Sequence, residues 1–96
     1  MTVREQVRLL RREILDAAEA NGARRIRLFG SAARGQETGE SDVDLLVTLE
    51  PGRTLMDLAR LEARLERLLN RIVDVVPESG LREPFRSSVL RDAIDV

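Results

Sequence analysis

The order of apolar and polar residues along the chain predicts alternating helices and strands. Between residues 3 and 20, apolar residues recur at steps of three and four, with arginine and glutamate between them, as in an amphipathic helix. This stripe consists of Val3, Val7, Leu10, Ile14 and Ala17. The pair Asn21-Gly22 supplies a common helix end. Residues 25–29 then alternate between arginine and apolar side chains, which predicts a short strand.

The second half of the chain continues this alternation. Its predicted elements are a helical turn at 32–35, a polar loop at 36–41, a strand at 42–49, a helix at 55–70, a strand at 72–76 and a helix at 82–93. The arginines and glutamates of the helix at 55–70 predict a solvated face. Strands that alternate with helices predict a sheet covered by helices. We therefore expect an α/β (α+β) fold, with a small mixed sheet of about three strands flanked by about four helices.

Length and composition narrow the possible classes of protein. With 96 residues, the chain is long enough for one core, and we expect a single domain over residues 1–96. It has no cysteine and no histidine, which excludes zinc–thiolate sites and Ser-His-Asp catalysis. Every basic residue is arginine, so a phosphate-binding or Schiff-base lysine is excluded too.

The net charge and the hydropathy of the chain indicate whether it binds nucleic acid or a membrane. The net charge is −1, and the aromatic residues are two phenylalanines, so we expect no direct binding of nucleic acid. No apolar stretch approaches the ~20 residues of a membrane span. The N-terminus also has no apolar region of the secretory type. These features predict a cytoplasmic protein that does not associate with a membrane.

Asp42 and Asp44 are two residues apart on a predicted strand. Side chains at this spacing point the same way and lie roughly 6.5 Å apart along the strand. Two such carboxylates repel each other unless a cation lies between them, and hard ions such as Mg²⁺ prefer oxygen ligands. The alternative is that both are solvated acids at a strand end.

Asp74 lies within the apolar run 72–76. Burial of an unpaired carboxylate costs several kcal/mol, so an acid in such a run needs a cation or strong donors. If the third strand neighbours the second, Asp74 completes a three-carboxylate cluster that could hold two metal ions and a triphosphate. The alternative is a core aspartate that is satisfied by an arginine or by backbone N–H groups.

The pair Gly30-Ser31 lies where the first predicted strand meets a helical turn. Glycine lets the backbone approach a ligand closely, and a helix N-terminus offers free N–H groups to a phosphate. The serine hydroxyl can donate to a phosphate oxygen or cap the turn. Arg34 can neutralise phosphate charge, or it can pair with Glu37 or Glu40.

Taken together, these segments resemble a known signature. Residues 28–35 (LFGSAARG), followed after six residues by 42–47 (DVDLLV), resemble the DNA polymerase β nucleotidyltransferase superfamily. Asp74, on a later strand, matches its third carboxylate. With its short length, the chain resembles the minimal nucleotidyltransferases (MNT proteins) that are paired with HEPN-domain proteins in prokaryotic toxin–antitoxin systems.

The resemblance implies a nucleotidyltransferase fold and a role for each motif residue. Gly30 and Ser31 would bind the nucleotide triphosphate, with Arg34 as a further phosphate contact. Asp42 and Asp44 would be catalytic ligands of Mg²⁺, and the site as a whole would hold two ions. Asp74 would join one metal and help to deprotonate the acceptor hydroxyl.

The resemblance also implies an activity and a partner. The chain would be an antitoxin that transfers AMP from ATP to a tyrosine hydroxyl of a HEPN ribonuclease toxin, with which it forms a hetero-oligomer, and so inactivates the toxin. This chain contains no tyrosine, so such an acceptor must come from another protein. Two alternatives remain open at this point: a non-catalytic antitoxin that occludes the toxin, and a nucleotidyltransferase that acts on a small molecule.

Overall fold

The computed structural model of the protein describes residues 1–38 and 42–96. The helices are α1 (Val3–Leu9), α2 (Arg11–Ala20), α3 (Gly30–Ala33), α4 (Leu55–Leu69) and α5 (Phe85–Asp92). The strands are β1 (Ala23–Phe29), β2 (Val43–Leu49), β3 (Val73–Pro77) and β4 (Ile94–Asp95), and a 3-10 turn (Glu78–Gly80) follows β3. None of the helices in these two ranges is long and apolar enough to cross a membrane.

The predicted mixed α/β fold is confirmed, with small differences in the elements. In the described residues the sheet has four strands in the order β3-β2-β1-β4, rather than about three. β1 runs antiparallel to β2 and β4, while β2 and β3 are parallel. The additional strand, β4, is only two residues long, too short for alternation to reveal it.

Two helix boundaries also differ from the prediction. The helix predicted over residues 3–20 is two helices, because the backbone at Leu10 (φ −101°, ψ 15°) departs from helical geometry. The last helix begins at Phe85 rather than at residue 82, directly after Pro84. The bounds of α4 agree with the predicted helix at 55–70 to within one residue. Thr54 and Asp57 form a capping box that fixes its start.

Both faces of the sheet are covered. One face packs against α2 and α4 in the main core, which includes Ile26, Leu28, Val43, Leu45, Val47, Leu61 and Leu65. The opposite face packs under α5 in a second core, which consists of Phe29, Leu46, Leu81 and Val89. Successive side chains of β2 therefore point alternately into the main core and toward the second core, rather than into one core and into solvent. At the start of β2 and β3, this second face carries the aspartates.

The outer edge of β3 is closed by side chains of α4. A carboxylate oxygen of Glu66 accepts a hydrogen bond from the N–H of Val73 at 3.0 Å, and the Glu62 carboxylate accepts one from the N–H of Val75. Burial raises the pKa of Glu62, and the Asp74 and Glu66 carboxylates add to this rise. The prediction of a fully solvated face on α4 is therefore wrong for these two glutamates, which satisfy backbone donors of an edge strand.

Candidate active site

Gly30 links the end of β1 to the start of α3 and lies against an acid of β2. Its φ is +73°, a left-handed conformation that other residues rarely adopt. A Cβ atom at this position would collide with the Asp44 carboxylate and would lie 3.2 Å from its Cγ atom. Glycine is thus favoured both by the backbone conformation and by the position of the Asp44 side chain. The close neighbour within the protein is the Asp44 side chain, which the sequence pattern did not indicate.

Asp44 and Asp74 lie side by side in the sheet. They are register partners across the parallel β2–β3 pair, and Phe29 is the partner of Asp44 across the antiparallel β1–β2 pair. The third strand therefore does neighbour the second, as the three-carboxylate hypothesis required. Asp42 lies one residue before β2, and its side chain is exposed.

Two acids, Asp74 and Asp42, lie close enough to Asp44 to repel its charge. Its partial burial raises its pKa most, and the carboxylates of Asp74 and Asp42 raise it further, while Arg34 acts in the opposite direction. Within residues 1–38 and 42–96, no arginine forms a salt bridge with any of these three aspartates. The negative charges of the aspartates at the starts of β2 and β3 are therefore only weakly compensated by nearby positive charges.

The expectation that Asp74 is buried is wrong. Val73 and Val75 are buried in the main core, whereas the intervening Asp74 points to the other face and is exposed. The apolar neighbours in the sequence therefore do not surround the carboxylate. A buried aspartate paired with an arginine or with backbone donors is ruled out by the same observation. What would draw a cation to Asp74 is its proximity to Asp44, not desolvation.

A cleft of about 400 Å³ opens at this end of the sheet. It is lined by Phe29, Gly30, Ser31, Arg34, Asp44, Asp74, Val76, Phe85, Ser88, Val89 and Asp92. Five of the six predicted site residues thus line one cleft, although they come from three separate segments of the chain. Asp42 is outside the lining and lies at its edge, close enough to influence Asp44.

Arg34 has a partner that the sequence did not suggest. Its Nη1 donates to the Asp92 carboxylate on α5 at 3.0 Å, and its Nε donates to the side-chain oxygen of Gln36 at 3.0 Å. Of the two acids predicted as alternatives, Glu37 instead accepts hydrogen bonds from the N–H of Val3, and Glu40 lies outside the described residues. Asp92 also lines the cleft, although it is 58 residues from Arg34 in the sequence. No local sequence pattern could connect two residues over that separation.

The donor set of the site suits a hard divalent cation. Asp42, Asp44 and Asp74 offer only oxygen ligands, which Mg²⁺ prefers, and a cation would relieve the crowding that raises the pKa of Asp44. In the ranges that the structure describes, no three acidic residues are already drawn together as a metal-binding group. Metal binding would thus require side-chain rotations, for which the exposed side chains of Asp42 and Asp74 have room.

Comparison with known proteins assigns this site to a class. Residues 10–96 match the family model of the nucleotidyltransferase domain, and the chain belongs to this family. It is therefore a nucleotidyltransferase, as the motif had predicted. A solved chain assigned as a minimal nucleotidyltransferase is 48% identical, with a TM-score of 0.88, over 100% of this chain and 97% of that chain. Within the family, this protein is thus similar to a minimal nucleotidyltransferase over its whole length.

Two further comparisons extend the assignment. The protein adenylyltransferase MntA of Thermococcus cleftensis is 36% identical over 96 residues, which is 100% of this chain and 97% of that protein. A crystal structure of a toxin–antitoxin with AMP-PNP has a TM-score of 0.75 at 22% identity, over 88% of this chain and 69% of that chain. At that identity, the second likeness concerns the fold.

Proposed function

We propose that this protein transfers AMP from ATP, in a Mg²⁺-dependent reaction, to a tyrosine hydroxyl of a HEPN-type ribonuclease toxin and so inactivates it. The observation that carries the proposal is the convergence of Gly30-Ser31, Asp44 and Asp74 on one cleft. A phosphate-binding turn and a carboxylate cluster in one cleft are the two parts that nucleotidyl transfer needs. A relative named as a protein adenylyltransferase, 36% identical over the whole chain, supports the choice of AMP and of a protein acceptor.

The turn at Gly30-Ser31 would hold the triphosphate. Gly30 keeps the backbone close to Asp44, so phosphates bound at this turn would lie beside the carboxylates. The Ser31 hydroxyl can donate to a phosphate oxygen, and Arg34 can neutralise phosphate charge once it is released from Asp92. The nucleotide would thereby be held with its reacting phosphorus near the acids.

The three aspartates would hold Mg²⁺ and orient the acceptor. When bound, the metal supplies positive charge to the phosphates and lowers the pKa of a coordinated hydroxyl. Asp42 and Asp44 would be its main ligands, and Asp74 lies beside Asp44 on the neighbouring strand. Asp74 would accept the proton of the tyrosine hydroxyl while the tyrosine oxygen forms a bond to the α-phosphorus. The bond between that phosphorus and the pyrophosphate oxygen breaks, and pyrophosphate leaves.

The proposed tyrosine acceptor lies outside these 96 residues. This chain has no tyrosine, and the described residues provide no second domain that could enclose an acceptor, since all elements belong to one sheet and its covering helices. The other solved neighbours include a toxin–antitoxin MntA–HpeT complex in mutant form, with a TM-score of 0.72 at 19% identity, which shows the same fold. A folded partner that presents its own tyrosine to the open cleft fits these constraints.

The test is transfer of label from α-labelled ATP to the partner. The protein is incubated with ATP, Mg²⁺ and the HEPN-type product of a neighbouring gene, and the modified residue is located by mass spectrometry. Label on a partner tyrosine is the expected result, and chelation of Mg²⁺ should abolish it. The variant Asp42→Ala/Asp44→Ala should lose transfer, whereas Asp16→Ala, which removes an exposed acid of α2, should retain it.

The same variants separate catalysis from simple occlusion. If the folded Asp42→Ala/Asp44→Ala protein still binds the toxin and still protects cells from it, the antitoxin works by occlusion and the catalytic proposal fails. Transfer to a small hydroxylated molecule in the absence of any protein partner would contradict the proposal in a different way, because it would identify a small-molecule transferase.

A further inference from the structure

Phe85 is an exposed aromatic side chain on the wall of the cleft. The chain has two aromatic residues in total; Phe29 is buried in the second core, whereas Phe85 is 59% exposed. Exposure of one large apolar side chain is unremarkable by itself. Here, however, the ring lies in the wall of the cleft that also contains Asp44 and Asp74, where a ligand could cover it.

The two ends of α5 are anchored to different parts of the site. At its C-terminal end, Asp92 is ion-paired with Arg34 in the segment that follows β1. At its N-terminal end, Arg86, the neighbour of Phe85, donates to the carbonyl of Glu78 in the segment that follows β3. Residues 85 and 92 are separated by two helical turns, roughly 10 Å. The helix therefore runs from the β3 side of the cleft to the side that carries Arg34.

This placement assigns Phe85 to the acceptor side. The proposed phosphate contacts are grouped at the Asp92 end of α5, while Val76 of β3, two residues after Asp74 on the same face, lines the cleft together with Phe85. A tyrosine whose hydroxyl reaches Asp74 must place its ring a few ångströms away from that carboxylate. An apolar wall and an aromatic ring are then available to receive it.

We infer that Phe85 is an acceptor-contact residue, whose ring packs against the side chain of the tyrosine that receives AMP. The inference rests on the proposed function and adds a residue that helps to select an aromatic acceptor over an aliphatic hydroxyl such as serine. Aromatic pairs prefer offset or edge-to-face arrangements, which would also restrict the angle at which the hydroxyl approaches Asp74. Phe85 touches the acceptor in this arrangement but takes part in no proton transfer.

The experiment compares Phe85→Ala and Phe85→Leu with Leu55→Ala. Leu55 is 80% exposed at the start of α4 and does not line the cleft, which makes it a matched control for loss of an exposed apolar side chain. For each protein, the affinity for Mg²⁺–AMP-PNP is measured by calorimetry, and AMP transfer is measured at varied partner concentration. Circular dichroism checks that the variants fold, as expected for changes at exposed positions.

The expected result is a change confined to the acceptor. Phe85→Ala should raise the KM for the partner about tenfold, Phe85→Leu should give an intermediate value, and Leu55→Ala should match the unmodified protein. Nucleotide affinity should stay the same in all three. In binding assays, the effect of Phe85→Ala should disappear when the acceptor tyrosine of the partner is replaced by alanine, because the two rings then no longer meet.

Three results would overturn the inference. Weaker nucleotide binding with an unchanged KM for the partner would show that the ring serves the nucleotide base. An unchanged KM for both substrates would show that it has no role in recognition. A loss of partner affinity that persists with the tyrosine-to-alanine partner would identify a contact outside the acceptor. Absence of transfer by the unmodified protein is a separate outcome, since it removes the proposed function itself and the inference with it.

Discussion

The backbone of Gly30 passes so close to the Asp44 carboxylate that no side chain fits between them. This contact joins the turn after β1 to the carboxylate pair at the start of β2 and β3. It fixes the distance between the part of the site that suits phosphate and the part that suits metal. Replacement of one of these two residues should therefore disturb both parts.

Gly30→Ala should impair the site more than an average single substitution. The added methyl group collides with Asp44, and alanine at φ +73° is strained as well. We expect a destabilisation of about 1–3 kcal/mol and a loss of AMP transfer larger than the loss of stability explains. Chemical unfolding and transfer assays on the same preparation measure both effects.

Gly35→Ala is the matched control for this prediction. Gly35 also has a positive φ, +72°, but an added Cβ would meet no atom within 4 Å. Alanine at position 35 would therefore have the same backbone strain as alanine at position 30, but it would collide with no other atom. If the two variants lose the same fraction of activity, the contact between Gly30 and Asp44 has no special part in the site.

Asp92→Asn should strengthen binding of the nucleotide. Arg34 is shared between Asp92 and the cleft, and loss of the Asp92 charge would leave the guanidinium free for phosphate. Because the pair is partly exposed, the expected gain in affinity for Mg²⁺–AMP-PNP is modest, up to about fivefold. Calorimetry at low ionic strength is the measurement.

The effect should depend on Arg34. In an Arg34→Ala background, which should itself weaken binding, Asp92→Asn should change affinity little. An equal gain in both backgrounds would mean that Asp92 acts through simple repulsion of the phosphates, and the proposed exchange of partners by Arg34 would be abandoned.

Glu78→Gln should destabilise the fold at a site remote from the chemistry. Glu78 accepts from the buried guanidinium of Arg27 at 2.9 Å and from the Thr48 hydroxyl at 3.0 Å, and the Arg27 Nε has no partner in the described residues. A weakened partner leaves a buried positive charge without compensation. Since Glu78 is itself 27% exposed, we expect a loss of about 2 kcal/mol in urea unfolding.

Two variants check the cause of that loss. Arg27→Met/Glu78→Gln should be less destabilised than Glu78→Gln alone, because the uncompensated charge is gone. Asp95→Asn, which removes the partner of Arg25 in a pair with both side chains more than half exposed, should leave stability near that of the unmodified protein. A double variant that is less stable than the single one would contradict the explanation.

Asp57 should make stability depend on pH in the acid range. The N–H of Thr54 lowers the pKa of the Asp57 carboxyl most, and hydrogen bonding by Arg60 and the charges of Arg53 and Arg60 lower it further. A depressed pKa in the folded state contributes stability above the unfolded-state value of about 3.9. That contribution is lost as the pH falls through the lower folded-state value.

The variant Asp57→Ala should therefore be less stable than the unmodified protein at pH 7, and the difference should shrink as the pH falls below about 4. Urea unfolding at a series of pH values measures it, with Asp16→Ala as the exposed control. A difference that stays constant down to pH 2 would show that Asp57 stabilises α4 by packing rather than by its charge.

The sequence predicted the fold class and most of the site because the relevant signals are local. Alternation at 42–49 and the run 72–76 identify strands, and Gly30-Ser31 marks a turn. The resemblance to the nucleotidyltransferase superfamily groups these separate segments into one site. Proximity of Asp44 and Asp74 followed from the assumption that their strands are neighbours, which the structure confirms.

What the sequence missed depends on long-range packing. Arg27 seemed to belong to a polar strand face, yet it is 7% exposed because α5 and the 3-10 turn cover that face. Asp74 seemed buried because its neighbours are apolar, yet strand alternation turns it away from them. The partners Asp92 and Phe85 come from a helix whose position over the sheet no periodicity encodes.

The two edges of the sheet differ in how their backbone N–H groups are satisfied, because Glu62 and Glu66 bind to those of β3. These side chains occupy the outward N–H groups of β3, so this border offers few free donors to an incoming strand. At the opposite border, β4 pairs with β1 at only two positions. A partner protein would therefore find few backbone donors with which to extend the sheet at β3, and an extension at the β4 border would leave the starts of β2 and β3 uncovered.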